Sequence, residues 1–463
     1  MSASICCVMT RISKSLCVIA VLACWAFAAS AQAPAPVEPE PNFRIVGLNM
    51  TGLERTDRAW LTGYIDQPLP GDVSYEEAQR LAAKLMGTGV FTDVKVTFEE
   101  VPAEPGNYLL HVDVAEKWTT IPVIRGVYGG GTPLTVLGMY DIHAFGKLLT
   151  FGGESRKYGD APPGFVLYAR DPKSQSGRYF IGTEFWRDFR RRDLFDDDGT
   201  LIGAASTSMT LGRLRLLKPV SSTDSLDRNF SDRFGVDLEA LQEDPSRFDP
   251  EEVDGELAKT PDDLTFQEEQ VRQLRLLPLF IHDDVVQSPV LFDGLRVELK
   301  GGPLITGGTT FGLAEAEAFY YRLLPGDWNI ALHGVAGGST YRSLTTTYFL
   351  GGLDSIRGLP DGALYGPLAS WVNAEVRHLS WRTKYVWFQT LAFVDAGGAG
   401  EKPGDVWKND RETAGVGLRI AVPQIYRVML RIDYAWAIDG SGAQGFTAGM
   451  NQFIDPYMPL RNR

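Results

Sequence analysis

From residue 119 onward the chain has a period of two. In "RVMLRIDYAWA", Val428, Leu430, Ile432, Tyr434 and Trp436 share one face, and Arg427, Met429, Arg431, Asp433 and Ala435 share the other. In "ETAGVGLRIAV", Ala414, Val416, Leu418, Ile420 and Val422 oppose Gly415, Gly417, Arg419 and Ala421. In "YVWFQTLAFVDAG", Val386, Phe388, Thr390, Ala392 and Val394 oppose Trp387, Gln389, Phe393 and Asp395. Side chains of a strand point alternately to its two faces, so each stretch reads as a β-strand with one apolar and one polar face.

Sixteen such strands are expected, near residues 119–129, 133–142, 148–157, 164–170, 177–187, 206–216, 232–242, 269–281, 293–300, 308–322, 328–337, 369–379, 385–396, 413–422, 427–437 and 445–454. An even number brings both ends of a closed barrel to the same side. The connections "FGK", "PGDW", "WRTK" and "PQIY" are short, whereas 187–205, 243–268, 338–368 and 397–412 read as longer loops on the opposite side. A soluble β-domain also alternates. Two features favour a transmembrane barrel: a targeting segment with no other anchor, and apolar faces that end in aromatics such as Tyr434 and Trp436.

The targeting segment is residues 1–31. Arg11 and Lys14 precede the apolar run 16–28, and Ala29, Ser30 and Ala31 form a small-x-small cleavage site. Met9 would give a tighter charged region, and Cys24 offers an alternative lipoprotein cleavage site that Leu22 fits poorly. All four cysteines (Cys6, Cys7, Cys17 and Cys24) fall within this segment. The mature chain is then expected to have no thiol chemistry. No later stretch is apolar for the ~18 residues that a transmembrane helix needs.

Residues 32–41 form a Pro-rich linker. A small α+β unit follows over 42–117, with the order strand, helix, helix, strand, strand and a three-stranded sheet. Ser74 and Glu77 form a capping box for a helix with Ala78, Leu81, Ala82 and Leu85 on one face. Val94, Val96 and Phe98 alternate in one later strand, and Tyr108, Leu110, Val112 and Val114 in the next, which is read as the edge strand of the unit.

The formal net charge of -13 argues against nucleic acid. The five histidines show no metal-ligand spacing, and no nucleophile motif or P-loop is present, so neither an enzyme nor a cofactor is expected. "DLFDDDG" at 193–199 fails the register of a calcium loop and reads as a solvated turn. "WRDFRRRDL" at 186–194 falls in an expected outer loop, where it reads equally as a contact to lipopolysaccharide phosphates or as an ordinary charge cluster.

Three motifs carry a family resemblance. "SIRGL" (Ser355, Ile356, Arg357, Gly358 and Leu359) lies in the glycine-rich loop "GGLDSIRGLPDG". "NAEVR" at 373–377 follows, and then "FVDAG" from Phe393 to Gly397. Together they resemble the V/I-R-G-Y/F loop motif and the strand motifs of the BamA/TamA superfamily of outer-membrane assembly factors, known also as bacterial surface antigen barrels. That resemblance implies a POTRA module followed by an all-β transmembrane barrel of 16 antiparallel strands, spanning 118–463. It implies that 42–117 is a periplasmic POTRA module, and that Arg357 folds back to meet lumenal carboxylates. Alternation independently puts Glu375 and Asp395 on the lumen face, together with Trp371, Asn373 and Arg377. The chain departs from the motif at Leu359, which replaces the aromatic. Phe453, within "GMNQF", resembles the terminal aromatic of a C-terminal assembly signal, with a polar tail after it.

The function implied is assistance to protein insertion or translocation at the outer membrane of a Gram-negative bacterium. The partners implied are outer-membrane lipid, lipopolysaccharide and unfolded clients received by the POTRA unit. Export of one dedicated partner, or a passive channel, are the alternatives.

Overall fold

A computed structural model describes residues 42–455, apart from 66–68, 87, 89, 172–178, 197–198, 221–231, 262–263, 289, 409, 423–428 and 451. The segment 1–41, with its expected cleavage site and linker, lies outside the described residues, as does 456–463.

The N-terminal unit comprises β1 (Asn42–Thr51), α1 (Arg58–Ile65), β2 (Gly71–Ser74), α2 (Tyr75–Met86), β3 (Phe91–Glu100) and β4 (Asn107–Glu116). The sheet order is β2-β1-β4-β3, with β1 and β4 parallel. The sheet therefore has four strands rather than three. The additional strand β2 has no clear alternation because it is four residues long. The order also corrects the assignment of the edge: β4 is interior, and β3 and β2 are the edges. Parallel pairing of β4 with β1 is a long-range choice that strand-by-strand patterning does not encode.

Local chemistry starts α2 where the sequence marks it. The Ser74 amide donates to Glu77 Oε2 at 2.7 Å, and the Glu77 amide donates to Ser74 Oγ at 3.1 Å. Ala78, Leu81 and Leu85 then reach the core, where Ile45, Leu61, Ile65, Leu110 and Val112 are also buried.

The barrel strands are β5 (Thr120–Gly129), β6 (Thr132–Ala144), β7 (Leu149–Tyr158), β8 (Gly164–Asp171), β9 (Phe180–Phe195), β10 (Leu201–Pro219), β11 (Asp232–Glu243), β12 (Val271–Asp283), β13 (Leu291–Thr306), β14 (Thr309–Leu324), β15 (Trp328–Ser339), β16 (Leu368–Arg382), β17 (Trp387–Gly400), β18 (Arg411–Ala421), β19 (Met429–Ala437) and β20 (Gln444–Met450). These sixteen strands close into an antiparallel barrel, onto which the short segments Arg247–Pro250 and Val286–Ser288 also pair. Several expected boundaries move. The strand expected at 293–300 runs on to Thr306. Residues 187–205 are mostly strand, because β9 and β10 rise to a tight turn. The last strand stops at Met450 instead of continuing to 454.

Alternation sorts the wall chemically. Val376, Val416, Leu430 and Ile432 are exposed on the outside, whereas Arg377, Arg419, Arg431 and Asp433 are buried in the lumen. The lumen charges meet opposite charges: Arg215 Nη2 lies 2.7 Å from Asp237, and Arg213 Nε lies 2.8 Å from Glu239. The "WRDFRRRDL" run belongs to this ladder rather than to a loop. It lies in β9, where Asp188 and Arg190 are buried and paired at 2.7 Å.

The N-terminal unit docks on the turn between β6 and β7. The Asp57 amide donates to the Gly146 carbonyl at 3.0 Å, Arg55 Nη2 lies 2.9 Å from Asp141, and Leu148 enters the core of the unit. Glu116 orders the facing segment by accepting from the amides of Glu54, Arg55 and Thr56 at 3.2, 2.9 and 2.9 Å. Burial disfavours its charge, but hydrogen bonds from the Thr56 side chain and these amides outweigh that and hold its carboxyl below the usual glutamate range.

Two outcomes are expected. Ile432→Arg tests whether the apolar outer face lies in lipid: a guanidinium there should cost about 2–4 kcal/mol near mid-membrane, read by denaturant unfolding in lipid. A depressed carboxyl stabilises the folded N-terminal unit at neutral pH and loses that contribution as pH falls through its folded value. Limited proteolysis titrated from neutral to below about pH 4, where glutamates ordinarily titrate, should therefore cut the segment 54–56 faster in acid, and Glu116→Gln should flatten that response.

Candidate functional site: a lumenal arginine cage

Four adjacent strands, β16 to β19, aim charged residues inward at one level of the lumen. Alternation fixes their direction, and register fixes their neighbours. Asn373 pairs with Asp395 across β16 and β17, and Gln389 pairs with Arg419 across β17 and β18. The connection between β15 and β16 folds back against this wall and brings Arg357 to it.

Arg357 is fully buried. Its Nε and Nη2 donate to the two oxygens of Asp395 at 2.7 and 2.8 Å, a bidentate fork. Its Nη1 donates to Glu375 Oε1 at 2.6 Å and lies 3.5 Å from Asp433 Oδ2. Its backbone amide also donates to Asp395, at 3.0 Å. Asn373 Nδ2 holds the loop from the wall side by donating to the Ser355 carbonyl at 2.6 Å and to Asp395 Oδ1 at 2.9 Å.

The carboxylates are themselves oriented by further guanidinium groups. Arg377 Nε donates to Glu375 Oε2 at 2.7 Å, and Arg419 Nη1 donates to Asp433 Oδ1 at 2.6 Å. Aromatic rings flank the plane of Arg357: its Cζ lies 3.5 Å from the Phe393 ring centre and 4.2 Å from that of Phe453. Cation–π attraction is strongest for a desolvated cation, and Arg357 is fully buried.

Backbone approach makes this geometry possible. Gly358 has φ +90, and a Cβ there would lie 2.9 Å from Ala435 Cβ. At Gly417 a Cβ would lie 2.0 Å from Asp433 Oδ1, so that glycine clears room for the carboxylate. Ile356 and Leu359 pack with Trp371, Val335 and Leu350. An aliphatic Leu359 fills its place through this cluster. Gly397 lies on β17 opposite Trp371.

The loop reaches the opposite wall as well. Thr345 Oγ1 donates to Glu243 at 2.8 Å, Tyr348 donates to Glu315 at 3.2 Å, and Arg192 lies 3.9 Å from Asp361. It therefore crosses the lumen.

The motif reading brings together Arg357, Glu375 and Asp395 but omits Asp433, Arg419 and Arg377 as members of the cage. Their inward faces were readable from alternation; their shared height was not, because register between strands sets it. Phe453 lies elsewhere than on a strand end. The chain turns inward after Met450, and Phe453 is buried in the lumen beneath Arg357. The only sequence sign of this is the loss of alternation near Gln452.

Removing Arg357 leaves two buried carboxylates short of a partner. Arg357→Ala should cost about 3–5 kcal/mol, read as a lower temperature for loss of the compact, heat-modifiable barrel. Arg357→Lys should recover little, because an ammonium cannot form the fork to Asp395.

No protein-family model matches this sequence, and no curated relative matches it. Solved structures do match the fold. BamA from Haemophilus ducreyi lacking POTRA domains 1-3 aligns with TM-score 0.58 at 15% identity, over 88% of this chain and 84% of that one. CdiB from Acinetobacter baumannii aligns with TM-score 0.59 at 14% identity, over 89% and 74%. CdiB from Escherichia coli aligns with TM-score 0.60 at 12% identity, over 88% and 76%. Such identities speak for the fold, and the fold of this chain is a BamA-like, CdiB-like barrel.

Proposed function

We propose that this chain is an outer-membrane barrel that helps insert or translocate other proteins, opening at the seam between its first and last strands. One observation carries this reading. Neighbouring strands elsewhere pair over long registers, yet among the described residues β20 and β5 share a single bridge pair, Ala448 with Tyr128. By contrast β5 pairs with β6 from Thr120 to Gly129, and β19 pairs with β20 from Leu430 to Trp436. Few backbone hydrogen bonds need to break for the wall to part there. Unpaired backbone is costly in lipid, so a seam of this kind is a suitable place for an incoming strand.

Among the described residues β20 is also the shortest barrel strand, with 7 residues against 19 in β10 and 16 in β13. The Arg357 loop touches both sides: Thr447 Oγ1 of β20 donates to the Gly352 carbonyl at 3.2 Å, and the Asp361 amide donates to the carbonyl of Gly130, next to β5, at 2.8 Å. On this reading the loop is a latch, and Arg357 holds it.

The N-terminal unit acts as a POTRA module in the periplasm, on the side where both barrel ends emerge. Extended clients would add as a strand at an exposed edge. The sheet order puts that edge on β3, or on the short β2, rather than on β4.

Cysteines at Tyr128 and Ala448 test the seam. Directly opposed residues of antiparallel strands lie about 4.5–5.5 Å apart between Cα atoms, within reach of a disulfide. Oxidation should abolish client assembly or release in reconstituted vesicles, and reductant should restore it. Undiminished activity in the oxidised barrel would reject the seam. Steady open conductance of the native barrel with no effect on any client would support a passive channel instead.

A further inference from the structure

Beneath the latch the segment 452–455, which follows the last strand, lies against the barrel wall. Gln452, Phe453, Ile454 and Asp455 are all buried. Phe453 joins Phe292, Phe319 and Tyr321 in an apolar cluster, and its ring lies 4.2 Å from the Arg357 guanidinium carbon and 4.8 Å from that of Arg431. The Ile454 carbonyl accepts from Tyr321 Oη at 3.2 Å and from Arg377 Nη2 at 3.1 Å.

These contacts read a peptide more than a particular sequence. Two donors grip a main-chain carbonyl that any residue would supply, and one cradle takes a flat ring. The cradle also has donors to spare. Arg431 is 3% exposed, yet among the described residues its Nε and Nη1 find no acceptor, and neither does Nη1 of Arg377. Buried donors without acceptors are rare and call for an explanation. Arg431 is a fourth guanidinium beside the three carboxylates of the cage. An extended polypeptide supplies what is lacking, since every residue carries a carbonyl acceptor.

We propose that this part of the lumen is a binding site for an extended polypeptide segment bearing an aromatic side chain, and that Phe453 and Ile454 occupy it in cis. The inference rests on the assembly reading above and adds to it where the client is held. The tail leaves the last strand of the seam, and its ring packs on the latch arginine. Exchange of the tail for a client segment therefore changes the surroundings of both the seam and the latch.

Binding of a fluorescent peptide, GMNQFID, to the purified full chain in detergent tests the site, with heat-modifiable migration as the check on folding. The native chain should bind weakly because the tail competes. Phe453→Ala should bind at least tenfold more tightly. The double variant Phe453→Ala, Arg431→Met should lose that gain, as should a peptide with alanine in place of phenylalanine. A folded Phe453→Ala barrel that binds no peptide, or that binds the alanine peptide equally, overturns the proposal. If Phe453→Ala does not fold, a photo-crosslinker at Phe319 in the otherwise native chain reads the same exchange. Excess peptide should replace the internal crosslink to the tail by a peptide adduct, and persistence of the internal crosslink at every concentration overturns the proposal. Peptide binding requires no open seam. A barrel that binds peptide but assembles no client rejects the assembly reading alone, and one that assembles clients without binding peptide rejects this site alone.

Discussion

A guanidinium removed from water must be surrounded by acceptors, and Arg357 is surrounded on every side. Asp395 takes its fork, Glu375 takes its remaining nitrogen, and Asp433 lies behind. The desolvation cost of several buried charges is large, so the net stabilisation from such a cage is modest. Its main effect is positional. A misplaced Arg357 would leave Asp395 and Glu375, on two neighbouring strands, short of a partner. The cage therefore fixes one loop conformation by making the alternatives expensive.

That constraint propagates. The strands bearing Glu375, Asp395, Arg419 and Asp433 must keep a common register, or the carboxylates leave the level of the guanidinium. Gly417 must remain small, because a methyl group there would overlap Asp433. Phe393 and Phe453 cover the faces of the arginine and keep water from competing for its donors. The seam lies next to this ordered block, only one strand beyond Asp433. Among the described residues the joint between β20 and β5 is held by a single bridge pair.

A second consequence concerns the segment 452–455. The segment around Phe453 would be expected to continue the last strand toward lipid, but it turns inward because the lumen offers it guanidinium faces, an apolar cluster and two donors for a carbonyl.

Much of the architecture was legible along the chain, because period-two alternation is a local signal that each strand carries for itself. It sets most barrel strands to within a few residues and puts Glu375, Asp395, Arg419 and Asp433 on the inner face. The capping box at Ser74 and Glu77 is likewise local, and it marks the start of α2. The motifs around Arg357 pointed to two of its carboxylate partners. What the sequence could not decide is which inward residues share a level, since that depends on the stagger between strands. Hence Asp433 and Arg419 join the cage only in three dimensions. Sheet order is equally non-local: the parallel pairing of β1 with β4 moved the open edge to β3. The inward turn at Phe453 is settled by contacts with residues more than a hundred positions away, such as Tyr321. Local periodicity determined the strands and their faces; register, closure and the balance of buried charge decided the site.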